Sequence, residues 1–205
     1  MSTDNAFTAK IYDPMLYFAL RRIRQEIIRL IFDREARILD LCCGTGDQLK
    51  KLSDAGFCNL TGVDLSSHML KVARKGNKIG RLIQEDVRHT GLGSERFDTI
   101  IISFAVHEKT ADVQEGMLDE AHRLLAPDGQ LILVDFSLDD RAKMIGKFGV
   151  TLIEGLAGGE HFRNFKAYVA SGGMDAVLKE RFEVQRQIRH AFGAVSTWVL
   201  RKPFL

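Results

Sequence analysis

Apolar positions fall in two rhythms along the chain. From Pro14 to Phe32 they recur near helical spacing, with Met15, Phe18, Ile23, Ile27, Leu30 and Ile31 on one side and Arg21, Arg22, Arg24 and Arg29 between them. Pro14 suits a helix start. From Ala36 short apolar runs alternate with amphipathic stretches. Strands are predicted at Arg37–Cys42, Asn59–Leu65, Arg81–Asp86, Phe97–Val106 and Gln130–Phe136. Between them helices are predicted at Asp47–Ala55, stopped by Gly56, at Ser67–Lys75, opened by Ser66 and Ser67, and at Thr110–Ala126, stopped by Pro127-Asp128-Gly129. Strands separated by helices imply a parallel α/β sheet. The chain closes differently: Arg181–His190 and Ala194–Lys202 are joined only by Ala191-Phe192-Gly193, too short for a crossover, so an antiparallel hairpin is expected. About 45 residues, rich in Gly and Phe, separate the fifth strand from that hairpin. The whole reads as one doubly wound α/β domain with a seven-stranded mixed sheet. Its parts are a helical cover over residues 1–35, a core over 36–137, a helical insertion over 138–180 and a terminal hairpin over 181–205.

The strongest chemical constellation sits where the first strand meets a helix: Ile38-Leu-Asp-Leu-Cys-Cys-Gly-Thr-Gly-Asp47. Glycines let a ligand approach the backbone, and a helix N-terminus favours negative charge. A dinucleotide fingerprint would need a third glycine, but that position is Leu49, which argues against a nicotinamide oxidoreductase. Three strand exits carry carboxylates: Asp40, Asp64 and Asp86. One Asp after a strand is ordinarily a turn or cap residue. Three in order around a Gly-x-Gly turn point to a ligand, since open α/β sheets bind at the carboxyl ends of their strands. Asp64, 20 residues after Gly44, is placed to take two ribose hydroxyls, and Asp86 to accept from an exocyclic adenine amine.

Composition narrows the field. In 205 residues, 29 Lys and Arg against 27 Asp and Glu leave a net charge of +2, so no strong field attracts nucleic acid or anionic membrane. The polar opening Met1–Lys10 lacks an apolar signal core, and no apolar run reaches bilayer length, so a cytoplasmic protein without integral membrane association is expected. Cys42, Cys43 and Cys58 are too few for a disulfide framework and form no Cys-x-x-Cys; Cys42 and Cys43 read as small packing residues. The histidines lack ligand spacing, so no metal is expected.

Taken together, Leu39-Asp-Leu-Cys-Cys-Gly-Thr-Gly46, Gly62-Val-Asp-Leu-Ser66, Gln84-Glu-Asp-Val87, Phe97–His107 and Leu124–Asp135 resemble the motifs of class I S-adenosylmethionine-dependent methyltransferases, closely from about Ile38 to Phe136. The resemblance implies a Rossmann-like fold, S-adenosylmethionine as cofactor, and a cofactor-binding set of Asp40, Cys42, Gly44, Thr45, Gly46, Asp64, Leu65, Asp86, Val87 and Ser103. In this family the exit of the fourth strand faces the transferred methyl. Here it reads Ser103-Phe-Ala-Val-His-Glu108, without the Asn/Asp-Pro-Pro-aromatic motif of enzymes that methylate nucleic-acid amines. It is similar to small-molecule methyltransferases of the quinone-biosynthesis group, as are Leu125–Ser137 and Gly159–Met174, whereas Ile11–Tyr17 keeps only the Tyr-Asp beginning of that group's N-terminal signature. His107 is the candidate acid/base or orienting group, since histidine titrates near neutral pH; the alternative is a structural histidine after the fourth strand. Tyr12, Tyr17, His161, Phe162, Arg163, Asn164, Phe165 and Tyr168 are candidate acceptor-site residues, although aromatics at such helical spacing also serve as core. Gly158-Gly159 and Gly172-Gly173 fit a lid or ordinary turns. The N-terminal helix fits either a cover over the cofactor or a packing helix or homodimer contact. The expected activity is methyl transfer to oxygen or carbon of a small apolar or aromatic acceptor. A cofactor-binding scaffold without turnover is the rival reading.

Overall fold

The computed structural model describes residues 20–75, 79–138, 142, 144, 159–178 and 181–203. Helix α1 covers residues 20–29. The order then runs β1 (Ile38–Leu41), α2 (Asp47–Asp54), β2 (Leu60–Asp64), α3 (Ser67–Ala73), β3 (Arg81–Gln84), β4 (Phe97–Ser103), α4 (Ala111–Leu124), β5 (Leu125–Phe136), α5 (Gly159–Ala170), α6 (Gly173–Leu178), β6 (Glu183–His190) and β7 (Val195–Arg201). The strands form one seven-stranded sheet in the order β3-β2-β1-β4-β5-β7-β6. Strands β1 to β5 are parallel, whereas β7 lies antiparallel between β5 and β6, the hairpin its short connection demands. The strand order reverses between β1 and β4, which opens a crevice beyond their carboxyl ends.

Burial explains the central strands. All four residues of β1 are buried, and Ile100, Ile101 and Ile102 of β4 are fully covered, as expected for strands with helices on both faces. Helix α4 turns Met117, Leu118, Ala121 and Leu124 inward. The N–H of Met69 donates to Ser66 Oγ at 3.3 Å, capping α3 as the sequence predicts. Helix α1 buries Ile23 and Ile27, and the following turn buries Leu30 and Ile31. Gln48 Nε2 donates to the Arg24 carbonyl at 3.5 Å and Gln130 Nε2 to the Leu30 carbonyl at 3.0 Å, so α1 runs from the start of α2 towards the start of the β5 segment that pairs with β4. Predicted residues 14–19 of this helix lie outside the described residues.

Several boundaries differ from the sequence reading. Strand β1 stops before Cys42, which takes a left-handed φ of 63°, and β4 stops before Phe104, at φ 54°. The Phe104 N–H still donates to the Val134 carbonyl at 2.8 Å, so the chain bends away while bonded to β5. Helix α4 ends at Leu124, because Pro127 disfavours helical backbone in the residue before it and Leu125 is already extended. Residues 127–129 are then carried in β5 as an irregularity between the Phe97–Leu125 and Thr99–Gln130 pairings. Strand β3 ends at Gln84, because Asp86 accepts the Arg88 N–H at 2.9 Å and closes a turn.

The missing third glycine of the turn has a packing counterpart. A Cβ at Gly62 of β2 would lie 2.7 Å from Leu49 Cδ1, 2.8 Å from Cys43 Sγ and 2.8 Å from Leu82 Cδ2. The close approach of α2 to the sheet is thus made on the strand side, with Leu49 filling the room that Gly62 leaves. After β5, α5 seats on the end of the same strand: buried Tyr168 donates its hydroxyl to the Phe136 carbonyl at 2.8 Å. The β6–β7 turn carries three successive left-handed residues, Ala191, Phe192 and Gly193. Among the described residues no helix is long and apolar enough to cross a membrane.

Gly62→Val is expected to lower stability by about 1–3 kcal/mol through overpacking. The check is a urea titration, in which the midpoint should fall at an unchanged slope.

Candidate active site

The turn after β1 is built from backbone conformations that side chains resist. Gly44 and Gly46 adopt φ values of 51° and 70°. A Cβ at Gly46 would lie 2.6 Å from Ile79 Cδ1 and 3.0 Å from the Ala73 Cβ, whereas a Cβ at Gly44 would meet nothing within 4 Å. Gly46 is therefore needed for packing, and Gly44 leaves open space over its backbone. The Gly44 N–H donates to Asp64 Oδ2 at 2.7 Å, and the Ser66 N–H to Asp64 Oδ1 at 2.8 Å. These two bonds aim the carboxylate at the end of β2 while leaving further lone pairs on each oxygen. Leu65, next to it, is 65% exposed despite its apolar side chain. Gly46 caps α2 without a side-chain bond, so the first N–H groups of the helix have no side-chain acceptor from that residue.

Asp40 lies deeper, at 3% exposure inside the buried strand β1. Burial, reinforced by the Asp64 charge and opposed by Arg24, pushes its carboxyl up to about 8. Arg24 of α1 also pairs with Asp47 at 3.0 Å, bringing a cation from the N-terminal helix to the glycine turn. Asp86 is engaged by its neighbour: Arg88 reaches both carboxylate oxygens, at 2.7 Å from Nη2 to Oδ2 and 3.1 Å from Nε to Oδ1. The Arg88 hydrogen bonds hold the Asp86 carboxyl down to about 2. Val87 is buried beside it. Burial pushes the Cys42 thiol up to about 12 and that of Cys43 higher still, so both remain protonated.

The exit of β4 is covered. Ser103 Oγ is buried without a hydrogen-bond partner among the described residues. His107, 4% exposed, places Nδ1 2.6 Å from Asp135 Oδ1 at the end of β5. Asp135 Oδ2 accepts the Val106 N–H at 2.9 Å and the His107 N–H at 3.3 Å. The imidazole leans on Phe136, with ring centroids 4.5 Å apart, and meets Phe165 of α5 edge-on at 6.3 Å. Glu108 ties the same loop to α5: its carbonyl accepts from Asn164 Nδ2 at 2.9 Å, and its Oε2 lies 3.3 Å from His161 Nδ1.

Residues 38–129 match a family described as a methyltransferase domain. That segment has the motifs and the fold seen in class I S-adenosylmethionine-dependent methyltransferases. A demethylmenaquinone methyltransferase of Thermotoga maritima is 29% identical over 126 residues, covering 60% of this chain and 54% of that protein. A malonyl-[acyl-carrier protein] O-methyltransferase of Enterobacter lignolyticus is 33% identical over 111 residues, covering 54% of this chain and 43% of that protein. The chain thus spans about half the length of the curated relatives it matches. Among solved structures, the PH0226 protein of Pyrococcus horikoshii has a TM-score of 0.66 at 16% identity, covering 98% of this chain and 94% of that one. An S-adenosylmethionine-dependent methyltransferase of Aquifex aeolicus has a TM-score of 0.65 at 17% identity, covering 97% and 98%. These likenesses show the fold, including the antiparallel end of the sheet.

The residues of the matched segment fit S-adenosylmethionine. Open space lies over Gly44, the side chains of residues 42–46 carry no cation for a phosphate, an exposed leucine adjoins Asp64, and Ser103 offers an unsatisfied hydroxyl. Of the predicted acceptor residues, His161 faces the β4 exit, Phe165 is core beside His107, and Arg163 is solvent-facing, paired with Glu160 at 2.9 Å. Tyr12 and Tyr17 lie outside the described residues. The sequence motif that contains Asp135 assigns it no role, although a lone carboxylate inside the apolar run Gln130–Phe136 is a signal. Nor does the sequence assign a role to Arg24 or Lys109, for which periodicity offers no signal.

The raised Asp40 value has a consequence for stability. Folding binds a proton that the unfolded carboxyl, near 3.8, releases, so this contribution is complete below that value and is lost as pH rises to about 8. Asp40→Asn should therefore gain stability relative to the parent chain as pH rises through this window, measured by denaturant melts at several pH values. A constant difference would contradict the assignment.

Proposed function

We propose that the protein transfers a methyl group from S-adenosylmethionine to oxygen or carbon of a small, apolar or aromatic acceptor. The observation that carries this reading is the junction of an open glycine turn and ordered carboxylate at β1 and β2 with a covered, aromatic-lined exit at β4. Bound at the turn, the cofactor supplies an electrophilic methyl group on a sulfonium. Asp64 holds the ribose hydroxyls with the lone pairs left by Gly44 and Ser66. Leu65 and Val87 give the adenine an apolar wall, and Asp86 keeps carboxylate capacity for its amine. Gly44, Thr45, Gly46 and Cys42 form the floor under the methionine part, and Ser103 offers its hydroxyl from the β4 exit. Asp40 gives up its proton as a cation approaches, which favours cofactor binding at higher pH. Methyl transfer requires alignment and exclusion of water above all, and the Phe136–Phe165 cover with His161 and Asn164 supplies both. The small net charge supports a small acceptor over nucleic acid.

In this reading His107 orients or deprotonates the acceptor. The Asp135 carboxylate accepts from Nδ1, which fixes the ring and puts the basic lone pair on Nε2. A second reading rests on the 4% exposure of the ring: His107 straps the β4 loop to β5 and takes no part in chemistry. His107→Ala with labelled cofactor separates the two. Loss of turnover at unchanged calorimetric cofactor affinity supports the first. Parental turnover with a lowered melting temperature supports the second. Asp64→Ala should weaken cofactor binding by about 1–3 kcal/mol, and unchanged affinity would remove the ribose assignment. Cofactor binding without turnover on any metabolite would establish the scaffold reading.

A further inference from the structure

Arg88 has no part in the reading above. Strand β3 pairs with β2 so that Gln84 stands opposite Asp64, and Asp86 follows two residues on, at the same end of the sheet as the glycine turn. Arg88 takes the Asp86 carboxylate in a fork. Its Nη2 donates to Oδ2 at 2.7 Å, its Nε to Oδ1 at 3.1 Å and to Oδ2 at 3.2 Å, and its backbone N–H to Oδ1 at 2.9 Å. The rest of this turn is fixed as well. The His89 N–H donates to the Asp86 carbonyl at 3.1 Å, and the Thr90 N–H and hydroxyl donate to Glu120 Oε1 of α4 at 2.8 Å and 2.5 Å.

Helix α4 makes room for the arginine stem. A Cβ at Gly116 would lie 3.0 Å from Arg88 Cγ, 3.2 Å from its Cβ and 3.3 Å from its Cδ. A glycine inside a helix is otherwise unfavourable, and this one lets the stem lie close against α4. Asp112 Oδ2, one turn earlier, is 3.7 Å from Arg88 Nη1, so the guanidinium bridges α4 and the β3 exit. Together the stem and the fork hold one arrangement of the Asp86 carboxylate, whose terminal torsion is otherwise broad. Two donors fill Oδ1. Oδ2 takes one full bond and a share of Nε, so the remaining acceptor capacity lies there. The Arg88 hydrogen bonds also hold the carboxyl down to about 2, which keeps it an acceptor that has no proton to donate. The pair is reachable from solvent, with about a third of each side chain exposed.

We propose that Arg88 is a positioning residue for adenine recognition, locking the Asp86 carboxylate so that its remaining acceptor site on Oδ2 takes a single N–H of the 6-amino group. The proposal rests on the methyltransferase reading and deepens it. Arg88 itself does not touch the cofactor. It selects through Asp86, because an oriented anion gains a charge-assisted bond from an amine and nothing from a C–H at the same place. A carboxylate free to turn would meet the amine only part of the time, and the preference for the amine would shrink.

The test needs no turnover. The full chain is titrated calorimetrically with S-adenosylhomocysteine and with its analogue carrying hydrogen in place of the 6-amino group. The parent should prefer the amine-bearing ligand roughly tenfold, as one hydrogen bond to a charged group allows. In Arg88→Met that preference should fall to about twofold, while affinity for the analogue changes by less than about twofold, which guards against misfolding. Arg88→Lys keeps the charge without the fork, so its preference should stay well below the parent's. A parental preference in Arg88→Met or in Arg88→Lys overturns the proposal, as does an equal loss of both ligands in Arg88→Met. A parent chain that binds both ligands equally well overturns this proposal alone. Failure of the parent chain to bind either ligand overturns the methyltransferase reading and this proposal together.

Discussion

The bond from the Gly44 N–H to the Asp64 carboxylate, next to the bond from the Cys43 N–H to the Val63 carbonyl at 3.0 Å, ties the exits of β1 and β2 together. It exists because Cys42 and Gly44 turn left-handed as the chain leaves β1, which swings the amide towards β2. Asp64 in turn stands at a fixed height because β1 and β2 pair in register, Asp40 opposite Gly62 and Leu41 opposite Val63. Everything that could recognise a ligand at this end depends on that alignment. The open backbone, the aimed carboxylate and the exposed Leu65 are consequences of one hydrogen bond and the parallel ladder beneath it.

The burial of charge at the strand exits follows a common logic with different outcomes. Asp64 keeps company with backbone N–H groups and stays accessible. Asp86 is satisfied by Arg88. Asp135 is buried altogether and is satisfied by N–H groups and an imidazole. Asp40 is buried beside another carboxylate and responds by holding a proton. A carboxylate desolvated on folding must find donors or become neutral, and these four show both solutions. The cost is placed at one end of the sheet, where the chain otherwise has apolar strands to stabilise it.

Much of this was legible in the sequence, and the reason is local. Periodicity marks β1, β4 and β5 because strands covered on both faces must be continuously apolar, and the three-residue link before Ala194 forces the hairpin by length alone. The Gly-x-Gly turn and the spacing to Asp64 are likewise local facts. What was hidden is tertiary. Gly62 making room for Leu49, Arg24 reaching Asp47, and Asn164 bonding the Glu108 carbonyl join residues whose separations carry no periodic signal. Strand ends were overextended at Cys42 and Val106 because the residues that leave the sheet are as apolar as those within it. Only their φ values distinguish them.

Strand β5 has a double allegiance. One side pairs in parallel with β4, which delivers the loop of His107, and the other pairs antiparallel with β7, where Asp135 lies opposite Ser196 and Val134 opposite Thr197. Its end also carries the anchor of α5 through the Phe136 carbonyl. The strand therefore acts as a common datum from which the β4 loop, the covering helix and the terminal hairpin all take their positions. Through β5 the terminal hairpin helps to set the coordinates of the chemistry, and a slip of one residue in β7 would be felt at the imidazole of the β4 loop.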